Sequence, residues 1–288
     1  MDRRRFLTLL AAVPAVQTVA RGAAAGADAI RLIVRADDIG SSHAANLACI
    51  QCFREGIARS VEVMVPCPWF KEAARMLRET PGYDVGVHLT LTSEWEFYKW
   101  GPITRAPSLV DGRGHFHPTT WKEKGPDGEI GFLQGEPRVE EVERELRAQI
   151  ELAVKEIPQV SHLSNHMGTA TSRPDLRELV DRLAAEYKLP INVPGLKRTP
   201  AWGPNEMSAS QREQALVGLL EKLDGGLYML VEHPGLDTEE MRAIGHEGYR
   251  NVASHRDAVT KAFCSAKVKQ AIEKRNIRLV SYRDVLSG

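Results

Sequence analysis

Four polar groups stand out by residue type: Asp37-Asp38, His88, His166 and Glu232-His233. Asp38, His88 and His166 offer one carboxylate and two imidazoles, a set that suits Zn²⁺ or another first-row divalent ion and leaves positions open for water and substrate. They lie far apart in the chain, so no local motif such as H-E-x-x-H fixes their geometry. Asp37 adds a second carboxylate, and a carboxylate beside water acidified by a cation is a suitable general base. Consecutive strand residues point to opposite faces, so Asp37 and Asp38 can share one site only if the chain turns there. The alternative is that one of them caps the helix that follows. His233, with Glu232 and Asp237 near it and Pro234-Gly235 after it, is either a proton donor to a leaving group or a plain turn residue. Taken together, these residues point to metal-assisted hydrolysis.

Such residues need a frame that brings them to one place. Short β-rich apolar runs alternate with longer amphipathic stretches, the pattern of βα units around a parallel sheet. The patterning predicts strands at Ile30 to Arg35, Ser60 to Val65, Asp84 to His88, Gln159 to Leu163, Pro190 to Val193, Leu227 to Val231 and Ile277 to Val280. Helices are predicted at His43 to Glu55, Trp69 to Arg78, Arg138 to Ile157, Pro174 to Tyr187, Ser208 to Leu223 and His255 to Lys274. With no Gly-rich nucleotide fingerprint, about seven parallel strands favour an α/β fold of the deformed (β/α) barrel kind, similar to a TIM barrel. Each of the four polar groups falls at or just beyond the C-terminal end of a predicted strand, the rim where catalytic groups of such barrels converge. Regular patterning is lost between Thr92 and Pro137, an interval that holds Trp95, Phe97, Tyr98, Trp100, Phe116, Trp121 and Phe132. Part of it is expected to cover substrate, since aromatic faces stack on sugar rings; buried anchors that pin the loop are the alternative.

The chain has 288 residues, 43% hydrophobic and 26% charged, enough for a sizeable core. Lys plus Arg equal Asp plus Glu at 38 each, which argues against a nucleic-acid partner and suits a neutral ligand such as a glycan. Arg3-Arg4-Arg5-Phe6-Leu7 leads into the apolar run Leu7 to Val16, and Ala23-Ala24-Ala25 follows. This is the layout of an export signal of twin-arginine type over residues 1–27, with the mature domain at 28–288 in the periplasm or outside the cell. The apolar run, interrupted by Pro14 and Gln17, is too short for a stable membrane span. The four cysteines, Cys49, Cys52, Cys67 and Cys264, do not have disulfide-scaffold spacing and read as packed core thiols. A homodimer is compatible with the sequence.

Arg35-Ala36-Asp37-Asp38-Ile39-Gly40, Val85-Gly86-Val87-His88-Leu89-Thr90-Leu91-Thr92, His162-Leu163-Ser164-Asn165-His166 and Glu232-His233-Pro234-Gly235, in this order over nearly all of the mature chain, resemble the YdjC/ChbG-like carbohydrate deacetylases. The resemblance implies a deformed βα barrel with one divalent metal ion, zinc or magnesium foremost, held by Asp38, His88 and His166. It also implies that Asp37 is the base, that a carbohydrate is the partner and that the reaction removes an N-acetyl group from a sugar. Three positions depart from the family pattern: Arg35 stands where Asn is usual, Ile39 where Phe is usual, and Ser164 where a supporting Asp is usual. The competing expectations are a metal-dependent phosphoesterase or non-sugar amidase, and an exported glycan-binding protein with a vestigial site. No Arg/Lys cluster beside the motifs favours the phosphoesterase, and a pure binder needs no second aspartate.

Overall fold

The ten residues Ile30–Ile39 form β1, the strand on which the rest of the sheet is assembled. The computed structural model describes residues 29–122 and 129–287, so the segment read as an export signal lies outside the described residues. After β1 come α1 (His43–Arg54), β2 (Ser60–Val63), α2 (Phe70–Arg78), β3 (Asp84–Leu89), α3 (Val139–Glu156), β4 (Val160–Asn165) and α4 (Pro174–Tyr187). The second half adds β5 (Leu196–Arg198), α5 (Ala209–Glu221), β6 (Gly226–Glu232), α6 (Glu239–Arg242), α7 (Val252–Cys264), α8 (Ala266–Lys274), β7 (Arg278–Leu279) and α9 (Tyr282–Leu286).

All strand pairings are parallel, in the order β4-β3-β2-β1-β6-β5, with β7 also on β1. The result is a curled, barrel-like sheet with helices outside it, the deformed βα barrel expected. Side-chain alternation sets what each face carries. Leu32, Val34 and Ala36 of β1, Val61 and Val63 of β2, Val85, Val87 and Leu89 of β3, and Leu163 of β4 join the main core, which also takes in the helices. The intervening residues, Arg35, Asp37, Glu62, Gly86, His88, His162 and Ser164, take the opposite face. Below them a small apolar cluster of Ile33, Leu227, Met229, Val280 and Tyr282 fills the barrel's bottom.

Two predicted elements are revised, and much of the aromatic interval follows its buried-anchor alternative. The strand expected at Pro190 to Val193 is not one: Pro190 lacks the N–H that a ladder needs, and its carbonyl only accepts from Leu163 N at 3.0 Å. The strand lies further on, at Leu196–Arg198, beside β6. The helix expected from His255 to Lys274 is two, because Ser265 leaves helical geometry (φ −61, ψ 136) and its hydroxyl caps α8 by accepting from Lys267 N and Val268 N. The aromatic interval is mostly pinned down rather than free to stack on a ligand: Trp95, Trp100, Phe116 and Phe132 are buried, and Trp100 Nε1 donates to Thr92 O at 2.8 Å. Phe97 and Trp121 remain exposed. All four cysteines are free, three of them buried. Among the described residues no helix is long and apolar enough to cross a membrane.

Candidate functional site

The end of β1 solves the problem that two adjacent aspartates pose. Asp37 follows Arg35 and Ile33 on the inner face, so strict alternation would send Asp38 outward with Ala36. Instead the pairing with β2 breaks register between Ala36 and Ile39, and Asp38 adopts φ +75. Aspartate is one of the few residues that tolerate this left-handed conformation, at a cost of about 1–2 kcal/mol. Ser41 repays part of it, donating from both its N–H (3.1 Å) and its hydroxyl (2.7 Å) to Asp38 O. Gly40, at φ +99, packs where a Cβ would press on Met64 O. Both carboxylates thereby reach the same pocket. Neither caps α1: Ser42 does, accepting from Ala45 N at 3.0 Å.

Asp38, His88 and His166 are all buried, and one potential ligand atom from each lies within 4.8 Å of the other two. Asp38 Oδ1 stands 3.8 Å from His88 Nε2 and 3.7 Å from His166 Nδ1. That oxygen is buried without a hydrogen-bond partner among the described residues. An orphaned carboxylate oxygen facing two imidazole nitrogens costs free energy as it stands and is what a divalent cation would satisfy, so the residues fit such an ion. Asp38 Oδ2 is engaged, accepting from Arg256 Nη2 at 2.9 Å. Burial alone would push the Asp38 carboxyl up, but its interactions with His233 and with the Arg256 guanidinium outweigh burial and hold it well below the usual carboxylate range. Burial, with His166 adding to it, keeps His88 far below its ordinary value and therefore neutral, the form that binds metal. His166 is also buried, but Glu94, 3.1 Å from its Nε2, overrides burial and raises it.

Asp37 accepts two parallel bonds from Arg35, Nε to Oδ1 and Nη2 to Oδ2, both 2.7 Å. Its Oδ2 is 3.7 Å from His88 Nε2. Burial raises the Asp37 carboxyl above its usual value despite the opposing pull of Arg35. His233 lines the same pocket and is lowered by burial, with Asp38 opposing. Glu232 also borders the pocket, but Asp237 does not orient His233: it accepts from Arg242 Nε at 2.7 Å on the surface.

Glu94, Arg256 and Glu62 were not singled out from sequence, and His162 and Ser164 entered only through the family motif. Glu94 comes from the aromatic interval and Arg256 from α7. Glu62, His162 and Ser164 form a buried polar layer directly under His88. The register puts Glu62, Gly86 and His162 in one row across β2, β3 and β4. Gly86 has no side chain, and a Cβ there would collide with Glu62 Oε2 and His162 Nε2, so the glycine is what lets Glu62 reach across β3. The fold also gathers Arg35, Arg198 and Arg256 around the pocket, a set of cations invisible as a cluster in the sequence. The cavity itself has a volume of about 820 Å³ and a wall that includes Trp202, Tyr249 and His255.

Comparison with known proteins gives the fold and site a family. The sequence pattern of the family described as YdjC-like protein matches residues 31–274. The chain belongs to the YdjC-like family. Among similar proteins, a carbohydrate deacetylase of Thermus thermophilus is 35% identical over 235 residues, covering 74% of this chain and 80% of that protein. A carbohydrate deacetylase of Brevibacillus brevis is 29% identical over 271 residues, covering 89% of this chain and all of the relative. A chitooligosaccharide deacetylase of Yersinia enterocolitica is 27% identical over 271 residues, covering 88% and 98%. The solved structure of an Enterococcus faecalis protein, described as a candidate cellobiose-phosphate cleavage protein, superposes with a TM-score of 0.69 at 24% identity over 89% of this chain and 98% of its own, a likeness of fold.

Proposed function

We propose that this chain hydrolyses the N-acetyl group of an amino sugar or oligosaccharide, at a divalent metal ion held by Asp38, His88 and His166. The observation that carries the proposal is the convergence of these three buried groups around the orphaned Asp38 Oδ1, at the floor of a large pocket, with the second carboxylate of Asp37 beside them. The names of the relatives, carbohydrate deacetylases and a chitooligosaccharide deacetylase, support deacetylation and a carbohydrate substrate. A divalent ion in that set contributes Lewis acidity, which makes water acidic enough to ionise near neutral pH and draws charge from a carbonyl oxygen.

The protein's own groups do the rest. Asp37 takes the proton of the attacking water, and its raised proton affinity suits that task. The paired bonds from Arg35 hold the carboxylate in place while leaving each oxygen a further lone pair. When the C–N bond breaks, the nitrogen needs a proton, and His233 is placed in the pocket to give one. Because burial keeps His233 neutral at rest, its proton has to arrive during turnover, and the proton collected by Asp37 is the nearby source. The products are acetate and the free amine.

The test is acetate release from N-acetylated monosaccharides and short chitin-type oligomers, before and after chelation. Release that disappears on chelation and returns with Zn²⁺, Mg²⁺, Mn²⁺ or Co²⁺ is the expected result; undiminished release after complete metal removal would sink the metal-dependent reading. Arg198, at the pocket wall without an ion pair among the described residues, favours the phosphoesterase alternative, and phosphate release from sugar phosphates in the same assay would select it.

We further infer that residues 1–27 direct export and are removed, so that the mature protein begins between about Gly22 and Asp28 and works outside the cytoplasm. Mass spectrometry of the protein recovered from the periplasm or medium is expected to find that new N-terminus, and an intact Met1 would refute cleavage.

A further inference from the structure

A neutral imidazole has one bare nitrogen to offer an ion, and the neighbour of the other nitrogen decides which it is. For His166 the arrangement is direct, since Glu94 holds Nε2 and Nδ1 faces Asp38. Among the described residues no carboxylate meets the Nδ1 of His88. That nitrogen lies 2.7 Å from the hydroxyl of Ser164, its register partner on β4, and the hydroxyl in turn donates to Glu62 Oε2. We propose that Ser164 and Glu62 act as a relay that locks His88 in the Nδ1–H tautomer and so aims its bare Nε2 at Asp38. The inference rests on the metal reading above.

Counting protons leads to this assignment. Glu62 is wholly buried; its Oε1 accepts from His162 Nε2 at 2.8 Å and stands 3.8 Å from Arg35 Nε, a guanidinium that is always charged. A carboxylate so surrounded has no proton to give and only accepts. Ser164 has one proton, and it goes to Glu62. What the hydroxyl then turns to His88 is a lone pair, which Nδ1 can meet only by donating. In the opposite tautomer two lone pairs would face each other at 2.7 Å in a buried site. Nε2 is therefore bare, 3.8 Å from Asp38 Oδ1 and 3.7 Å from Asp37 Oδ2. The serine is needed because Glu62 lies two strands from β4, and even with the gap at Gly86 its reach ends at the Ser164 hydroxyl. Ser164 and Glu62 are positioning residues: they act on the ion only through His88.

The experiment has two parts. On the metal-free wild-type protein, ¹⁵N spectra of the assigned His88 ring are expected to show a protonated Nδ1 and a bare Nε2; a protonated Nε2 overturns the relay without any variant having to fold. Zn²⁺ affinity, measured by competition with a chromogenic chelator, is then expected to fall about 10- to 100-fold in Ser164→Ala. Ser164→Thr, which keeps the hydroxyl, should stay within a few-fold of wild type. Equal zinc affinity in wild type and Ser164→Ala overturns the relay, whereas a wild type that takes up no zinc overturns the metal reading on which it rests.

Discussion

Asp38→Asn is expected to lose its metal and, with it, turnover by on the order of 10⁴-fold or more, the scale seen when a central group of an active site is removed. Asp38 is the single carboxylate of the proposed ligand set, and its Oδ1 has no hydrogen-bond partner among the described residues and lies between two imidazoles. An amide in its place brings no charge to offset a cation's desolvation. Asparagine is the informative replacement for two further reasons. It tolerates the left-handed backbone at φ +75, where alanine adds strain. Its side-chain oxygen can still accept from Arg256, which in Asp38→Ala would be left buried and unpaired at a cost of about 3–5 kcal/mol. Asp38→Ala is therefore expected to lose metal, activity and much of its stability together, and Asp38→Asn only the first two. Metal content per folded chain, measured beside acetate release, checks both; a fully loaded Asp38→Asn would remove Asp38 from the ligand set.

Asp37→Asn should separate binding from chemistry. None of the three proposed ligands is altered, so metal content is expected to stay near that of wild type while turnover falls about 10²–10⁴-fold, the usual worth of a positioned general base. Since Ser42 caps α1, loss of a helix cap does not confound the measurement. The stability cost comes instead from weakening the Arg35 pair, one of whose two bonds an asparagine oxygen can keep. The pH profile offers a second check. A base works deprotonated, so wild-type kcat/KM should fall as pH drops through the Asp37 pKa, which burial raises above the usual carboxylate value. That acid limb should be absent from Asp37→Asn. Normal turnover in the folded fraction would mean that another group takes the proton.

Much of the fold follows from local pattern. Val61-Glu62-Val63 and Val85-Gly86-Val87-His88-Leu89 alternate as strands do, and the amphipathic stretches between such runs require helices outside a parallel sheet. The same alternation held an unused signal. Glu62 occupies the polar phase of a predicted strand whose other phase, Val61, Val63 and Val65, is apolar, which in a barrel marks an inward-facing group, whereas His162 and Ser164 stand at the end of a predicted strand whose two phases are both mixed. Glu94 and Arg256 carry no such mark. One sits in a segment without periodicity, the other on a helix, where a charged residue is ordinarily a solvated one.

By itself the sequence determined the element types, the strand ends where Asp37, Asp38, His88, His166 and His233 fall, and the family, because all of these depend on neighbours along the chain. Only the tertiary structure decided which groups meet. That Asp38 turns inward depends on a register break against β2; that Glu94 grips His166 and Arg256 grips Asp38 depends on loops and helices closing over the rim; that Ser164 joins His88 to Glu62 depends on the row that three strands share across Gly86. Hydrogen bonds and ion pairs act over about 3–4 Å, and residues tens to hundreds of positions apart come within that range only when the barrel curls.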